Sequence, residues 1–289
     1  MKVIIYLIHF LSKLPMMWQQ QLVSLIANVL IKINIPRIQV MATNLIRCFP
    51  RLSNVEQRQL LHRSICSMCS GVLNSVQANQ AECLSFFECD YVGIEHLTAA
   101  LEQPSGVVLL HPHLTHLDLA GRYMFNLIHD LGSSRPLGYT YRPAHNATFN
   151  QWQVMMRPGH PIPANDIRSM VNFLKSKGVL MVFPDHDMGP QRSVFSSFFG
   201  IQTATSTGFS KLVNMTQSIC LPISLICLKP GYYRLSIEPP LTCQQTPQAL
   251  ADWMNTWIEA IVKKAPEQYY WIHRRFKTRP EGEKRFYSP

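Results

Sequence analysis

The sequence predicts an α/β fold: a mixed β-sheet with helices on both faces, preceded by an N-terminal helical segment that associates with a membrane. Three observations carry this expectation. Residues up to about 100 repeat their apolar positions at helical spacing. From Ser105 onward, short apolar runs alternate with helical stretches, the texture of strands and crossover helices. Apolar residues make up 47% of the 289-residue chain and charged residues only 15%, against roughly 25% charged in typical soluble domains. That composition excludes a disordered chain and suits one that touches lipid.

The elements follow in order. VIIYLIHFLSKL, after Met1 and Lys2, is apolar but is interrupted by Lys13 and Pro15, sooner than the roughly 18 apolar residues of a full span. No small-residue cleavage site of a signal peptide follows it. Trp18, Leu22, Leu25, Ile26, Val29, Leu30 and Ile33 then recur at helical spacing, with Gln19, Gln20, Asn28 and Lys32 mostly opposite. This helix suits either a core position or an interfacial one, so residues 1–35 are expected to form membrane-associating helices and residues 36–289 a single α/β domain. Ser53 with Glu56 three positions later is a capping-box signature for a helix starting there. GVVLL (106–110), LGYTY (137–141), GVLMVF (178–183), SICLPISLICL (218–228) and YYRLSIEP (232–239) read as strands. NDIRSMVNFLKSKG reads as a helix capped by Asp166 or Asn165, with Gly178 past its end. PQALADWMNTWIEAIVKK is an amphipathic closing helix, and a basic aromatic tail follows.

The net charge of +10 predicts attraction to anions. By itself it leaves nucleic acid, an anionic membrane face, phosphorylated lipid and an acidic carrier protein open. The eight cysteines (Cys48, Cys66, Cys69, Cys83, Cys89, Cys220, Cys227, Cys243) show no framework spacing, and Cys66-Ser-Met-Cys69 is a lone CxxC. Reduced thiols in a cytosolic setting follow.

The chemistry concentrates in VVLLHPHLTHLDLAGR, Val107 to Arg122. One reading is a metal site of His111, His113 and His116; it resembles a metallohydrolase signature, but Thr115 stands where that signature has an aspartate. The other is a metal-free acid/base pair, His113 with Asp118. Five positions apart, the two would be separated by about 140° on one regular helix. They converge only if His113 lies in a strand-to-helix turn and Asp118 in the first helical turn. The strand GVVLL, the breaker Pro112 and the candidate N-cap Thr115 supply that setting. A carboxylate bonded to an imidazole fixes its tautomer and leaves the other nitrogen to accept a proton. His113 acting merely as a helix cap is the bland alternative, and His111 and His116 are assigned to packing or orientation.

A histidine followed after four residues by an acid, placed just past a strand, resembles the glycerolipid acyltransferase superfamily. The surroundings are similar to one branch, the late (secondary) acyltransferases of lipid A biosynthesis, over about Leu7 to Tyr287. The matching stretches are NLIRCFPRLSNVEQRQLL, HLTHLDLAGR, YRPAHNATF, FPDHDMGPQRSVFSSFFG and APEQYYWIHRRFKTRPEG. The resemblance implies direct transfer of a fatty acyl chain from an acyl carrier protein thioester to a hydroxyl of a lipid A precursor at the cytoplasmic face of the inner membrane. It implies His113 as general base oriented by Asp118, with Arg157 and Asp185 binding substrate and Arg142 and Asn146 as weaker contributors. It calls for no metal, no other cofactor and no nucleic-acid partner. The same chemistry on a lysophospholipid or aminolipid, thioester hydrolysis, and non-catalytic lipid or carrier-protein binding stay open as alternatives. The tail His273–Arg279 is a candidate surface for the carrier protein or lipid phosphates, and Phe198 and Phe199 are candidate walls of the acyl groove.

Overall fold

The computed structural model describes residues 1–79 and 87–287; Cys83 lies outside them. Four helices open the chain: α1 (Lys2–Leu11), α2 (Met16–Ile33), α3 (Pro36–Cys48) and α4 (Asn54–Asn79). The capping box at the start of α4 forms as expected, with the Ser53 amide and hydroxyl both donating to Glu56 Oε2 at 2.7 Å. The alternating part then runs β1 (Glu88–Val92), α5 (Ile94–Glu102), β2 (Val107–Leu110), α6 (Leu117–Asp130), β3 (Leu137–Tyr141), α7 (Ala147–Met155), β4 (His160–Pro163), α8 (Ile167–Lys175) and β5 (Val179–Val182). It closes with β6 (Val194–Phe198), β7 (Ile201–Thr205), α9 (Gly208–Thr216), β8 (Ile219–Lys229), β9 (Tyr232–Ile237) and α10 (Pro247–Lys264).

Seven strands form one mixed sheet in the order β1-β9-β8-β2-β5-β3-β4; β6 and β7 pair separately as an antiparallel hairpin. Every pair in the large sheet is parallel except β8 with β9. β2 is fully buried, and its alternate residues face opposite cores. Val108 and Leu110 point toward α3, α8, α9 and α10, joining Met41, Leu174, Phe209 and Ile258. Val107 and Leu109 point toward α5 and α6, joining Leu97, Leu119, Tyr123 and Met124. Helices thus cover both faces, which is why the central strands read as unbroken apolar runs.

The five expected strands are all present. Three further features escape the pattern: β1, the edge strand β4, and the β6–β7 hairpin. Phe198 and Phe199, expected as groove walls, belong to the first of these cores, with Val108 and Leu110. Phe198 is 1% exposed, and Phe199 packs its ring at 5.1 Å from Phe49 and 6.1 Å from Trp271.

In α2 the apolar stripe faces outward. The buried positions are Gln19, Val23 and Ala27, while Trp18, Leu25, Val29 and Ile33 are exposed, as are Val3, Ile4, Tyr6, Leu7 and Phe10 of α1. Gln19 is tolerated inside because its amide donates to the Ser12 and Leu14 carbonyls that the α1–α2 turn leaves free. Among the described residues no single helix is long and apolar enough to cross a membrane. Helices α2 and α3 meet the length and composition only as a pair bent by 94°.

Candidate active site

β2 and β5 are neighbouring parallel strands in a register that sets Leu110 opposite Val182. Each chain continues three residues past that pair before reaching His113 and Asp185, and the His111 amide extends the ladder by donating to the Val182 carbonyl at 3.0 Å. The two side chains therefore meet at the carboxyl end of the sheet, where α/β proteins commonly build their sites. His113 Nδ1 lies 2.6 Å from Asp185 Oδ1, and the His113 amide donates to both carboxylate oxygens at 3.0–3.1 Å. Asp185 is 1% exposed. Burial alone would raise its pKa, but the adjacent His113 imidazole, by charge and hydrogen bond, holds the carboxyl well below the usual range. An ionised carboxylate can only accept, so Nδ1 carries the proton and Nε2 of the neutral ring is the acceptor. Nε2 has no hydrogen bond to the described residues, and the imidazole is 15% exposed.

This arrangement corrects the pairing expected from the sequence. No hydrogen bond joins His113 to Asp118. Helix α6 begins at Leu117, with His116 rather than Thr115 in the N-cap position, and Asp118 in its first turn accepts from Arg157 Nε at 2.6 Å. Arg157 lies with its guanidinium 5.4 Å from the Tyr139 ring centroid, and its two terminal nitrogens make no hydrogen bond to the described residues. Asp185, expected among the substrate-binding residues, holds the imidazole; Arg157 and Asp118 hold each other. Leu117, Gly121, Leu137, Tyr139, Met181 and Phe183 line an apolar slot with Asp118 and Arg157 at its side. Phe183 also flanks the His113 ring, with centroids 5.4 Å apart.

The two weaker candidates make no hydrogen bond to His113, Asp118, Arg157 or Asp185. Asn146 caps α7 by accepting from the Phe149 amide at 3.0 Å. Arg142 is exposed, without a hydrogen bond from its side chain to the described residues. His111 and His116 are 0% and 3% exposed; their Nδ1 atoms engage the Pro112 carbonyl at 2.5 Å and Thr115 Oγ1 at 3.1 Å. Desolvation pushes each of them down to about 4. They do not converge with His113, and among the described residues no group of three or more His, Cys, Asp or Glu side chains is placed to hold a metal ion.

The loop carrying His113 is braced from two sides, neither of them legible in its own sequence. The tail pairs with it: the Tyr270 amide donates to the His113 carbonyl at 2.9 Å, the Thr115 amide to the Gln268 carbonyl at 2.8 Å, and Leu114 bridges Tyr269. From α4, Gly71 presses on the Thr115 carbonyl so closely that a Cβ would sit 2.0 Å from its oxygen. The tail is itself clamped by the loop after β5, because Asp187 accepts from the Thr278 amide at 2.6 Å and hydroxyl at 2.8 Å. Arg275, expected on a binding surface, is 2% exposed. It donates to the Ala204 carbonyl, Thr205 Oγ1 and Asn255 Oδ1.

Fold and site together define an α/β protein in which a histidine at the carboxyl end of the sheet is held by a buried carboxylate. Comparison with known sequences places it more closely: residues 2–278 match the bacterial lipid A biosynthesis acyltransferase family, and the chain belongs to that family. It is 32% identical over 260 residues to the lipid A biosynthesis lauroyltransferase of Escherichia coli, covering 85% of this chain and 81% of the relative. It is also 32% identical over 255 residues to the palmitoleoyltransferase of the same organism (84% and 80% covered) and 24% identical over 255 residues to its myristoyltransferase (83% and 75% covered). The chain is therefore an acyltransferase.

Proposed function

We propose that this acyltransferase moves a fatty acyl chain from an acyl carrier protein thioester directly to a hydroxyl of a lipid A precursor, with His113 as general base. The observation that carries the mechanism is the 2.6 Å contact between His113 Nδ1 and Asp185, which leaves Nε2 as the free basic nitrogen. Nε2 takes the proton of the acceptor hydroxyl as its oxygen attacks the thioester carbonyl carbon. The tetrahedral intermediate collapses with cleavage of the C–S bond, and the imidazolium returns the proton to the departing thiolate. A thioester is already activated, so the remaining demand is stabilisation of the developing oxyanion. Arg157, aimed by Asp118 and with its terminal nitrogens uncommitted, is suited to that or to a phosphate of the acceptor. The apolar side chains beside this pair, Leu137, Tyr139, Met181 and Phe183, suit contact with the start of the donor's hydrocarbon chain. This mechanism needs no metal and no other cofactor.

The outward apolar faces of α1 and α2 support a membrane role for residues 1–35. Lying in the interfacial plane, Trp18, Leu25 and the exposed residues of α1 would seat the protein on the inner membrane at its cytoplasmic face. The test is a detergent assay of purified protein with dodecanoyl-acyl carrier protein and a panel of acceptors. A mass gain of one acyl chain on a tetraacylated lipid A precursor is expected. Gain only on a lysophospholipid or aminolipid would replace the acceptor, and free fatty acid alone would replace transfer with hydrolysis.

A further inference from the structure

Three imidazoles from three separate segments lie face to face at the site. The His113 and His186 rings are stacked with centroids 3.5 Å apart and planes at 13°, and His186 stacks on His273 at 3.7 Å and 15°. Isolated aromatic pairs prefer offset or edge-on contacts, so this stack is imposed by the surrounding backbone. His186 stands between Asp185 and Asp187, each fixed by its own hydrogen bonds. The His273 carbonyl accepts from Asn44 of α3 at 2.9 Å, and the His273 amide donates to the Tyr270 carbonyl at 3.3 Å.

The stack is not a route for protons. Ring N–H bonds lie in the ring planes, so stacked faces share no hydrogen bond, and His186 Nε2 is buried without a partner. Nor do the other two rings compete for the carboxylate. The groups facing His186 are His113, Asp185, His273 and Arg275, and those facing His273 are His113, Asp185, Arg275 and Arg37. Desolvation first, then the positive charge that a protonated His113 or the nearby arginines would set beside them, pushes His186 down to about 2 and His273 to about 4. Both are neutral at pH 7, and only His113 touches Asp185 with a ring nitrogen. What remains for the stack is geometry. The Asp185 bond holds one atom of the His113 ring but leaves it free to tilt about that bond; a ring packed flat against its face removes the freedom.

We propose that His186, backed by His273, is a positioning residue that fixes the plane of the His113 ring and so the direction of Nε2. The inference rests on the acyl-transfer reading for its rate effect but not for its geometry. Base misplacement by a fraction of an ångström is costly, with ~10²-fold losses for about 1 Å. His186→Ala is therefore expected to lower kcat by about 10- to 100-fold, with KM for dodecanoyl-acyl carrier protein and for the lipid A precursor unchanged. His186→Phe, which keeps a flat ring and removes both nitrogens, should restore most of the rate. His273→Ala should give a smaller loss in the same direction. A histidine-labelled NMR spectrum, independent of turnover, should show one sharp His113 ring signal in the wild type and in His186→Phe, and a doubled or exchange-broadened one in His186→Ala. Wild-type kcat in His186→Ala, failure of phenylalanine to rescue, or a single sharp His113 signal in His186→Ala would each overturn the proposal. Because the NMR readout needs no substrate, an inactive wild type would count against the acyl-transfer reading and leave the positioning claim still decided.

Discussion

Replacing Asp185 by asparagine keeps the volume of the side chain and removes its charge. In the wild type the carboxylate accepts three contacts from one residue, two from the His113 amide and one from Nδ1. Asparagine Oδ1 can still accept from the amide, but the second position becomes an NH2 group. Facing Nδ1, that donor selects the opposite tautomer, in which Nε2 carries the proton and cannot take another. Losing general-base action is worth about 10²–10⁴-fold, or ~3–5 kcal/mol in the barrier at about 1.4 kcal/mol per decade. The fold should lose less: a hydrogen bond to a charged group contributes about 1.5–3 kcal/mol, and part of this one survives. The assay is steady-state transfer with Asp185→Asn and Asp118→Asn in parallel, each checked by thermal melting. Asp185→Asn should lose rate by the full base contribution with a melting point lowered only a few degrees, and Asp118→Asn should lose less, because it acts through Arg157. The reverse order would refute the pairing and favour the one read from sequence spacing.

Other consequences can be measured directly. Arg157→Lys keeps the charge but loses the fork and the Nε contact to Asp118, so kcat/KM should fall by about tenfold or more; an unchanged value would remove Arg157 from the site. His111 and His116 are buried and neutral with pKa values near 4, below the ~6.5 of an unfolded histidine. Their stabilisation is complete above pH ~6.5 and is lost as pH falls toward 4, because the unfolded chain takes up protons first. Between pH 7 and 5 that amounts to about 2 kcal/mol per histidine, so denaturant midpoints should drop together over that window; a flat profile would show that these rings are solvated. Gly71→Ala places a methyl group against the Thr115 carbonyl. It should destabilise by about 3 kcal/mol, the upper part of the range for overpacking, and a wild-type denaturant midpoint would contradict the contact.

Much of this was legible in the sequence, but unevenly. β2, β3, β5, β8 and β9 announce themselves because buried strands of a covered sheet are short apolar runs. β4 reads His-Pro-Ile-Pro, and prolines argue against a strand; it exists because it is the sheet edge, where missing donors cost nothing. β1, Glu-Cys-Asp-Tyr-Val, is the opposite edge and has no apolar pattern to betray it. The β6–β7 hairpin turns on Phe199 and Gly200, both at positive φ, which is the backbone a two-residue hairpin needs. The phenylalanine there hid the turn.

At the site, His113, Asp118, Arg157 and Asp185 were all nameable, and their partners were not. Local spacing suggests only partners within a few residues. The partner of His113 is 72 positions away, and it is selected by the parallel register of two strands that pair only in the folded chain. The roles of His186 and His273 were hidden for the same reason. The unusual stretches PDHD and YYWIHRRF marked their neighbourhoods as special, but one loop and the tail meet only through the tertiary structure.

The most direct test of the central claim, that His113 is the base of a direct acyl transfer, is the initial rate of His113→Ala in the transfer assay. Mass spectrometry would follow the lipid A precursor, and a melting curve would confirm that the variant is folded. The account predicts a folded variant whose rate of acyl gain is down by about 10²–10⁴-fold. A folded variant that transfers at the wild-type rate would contradict it.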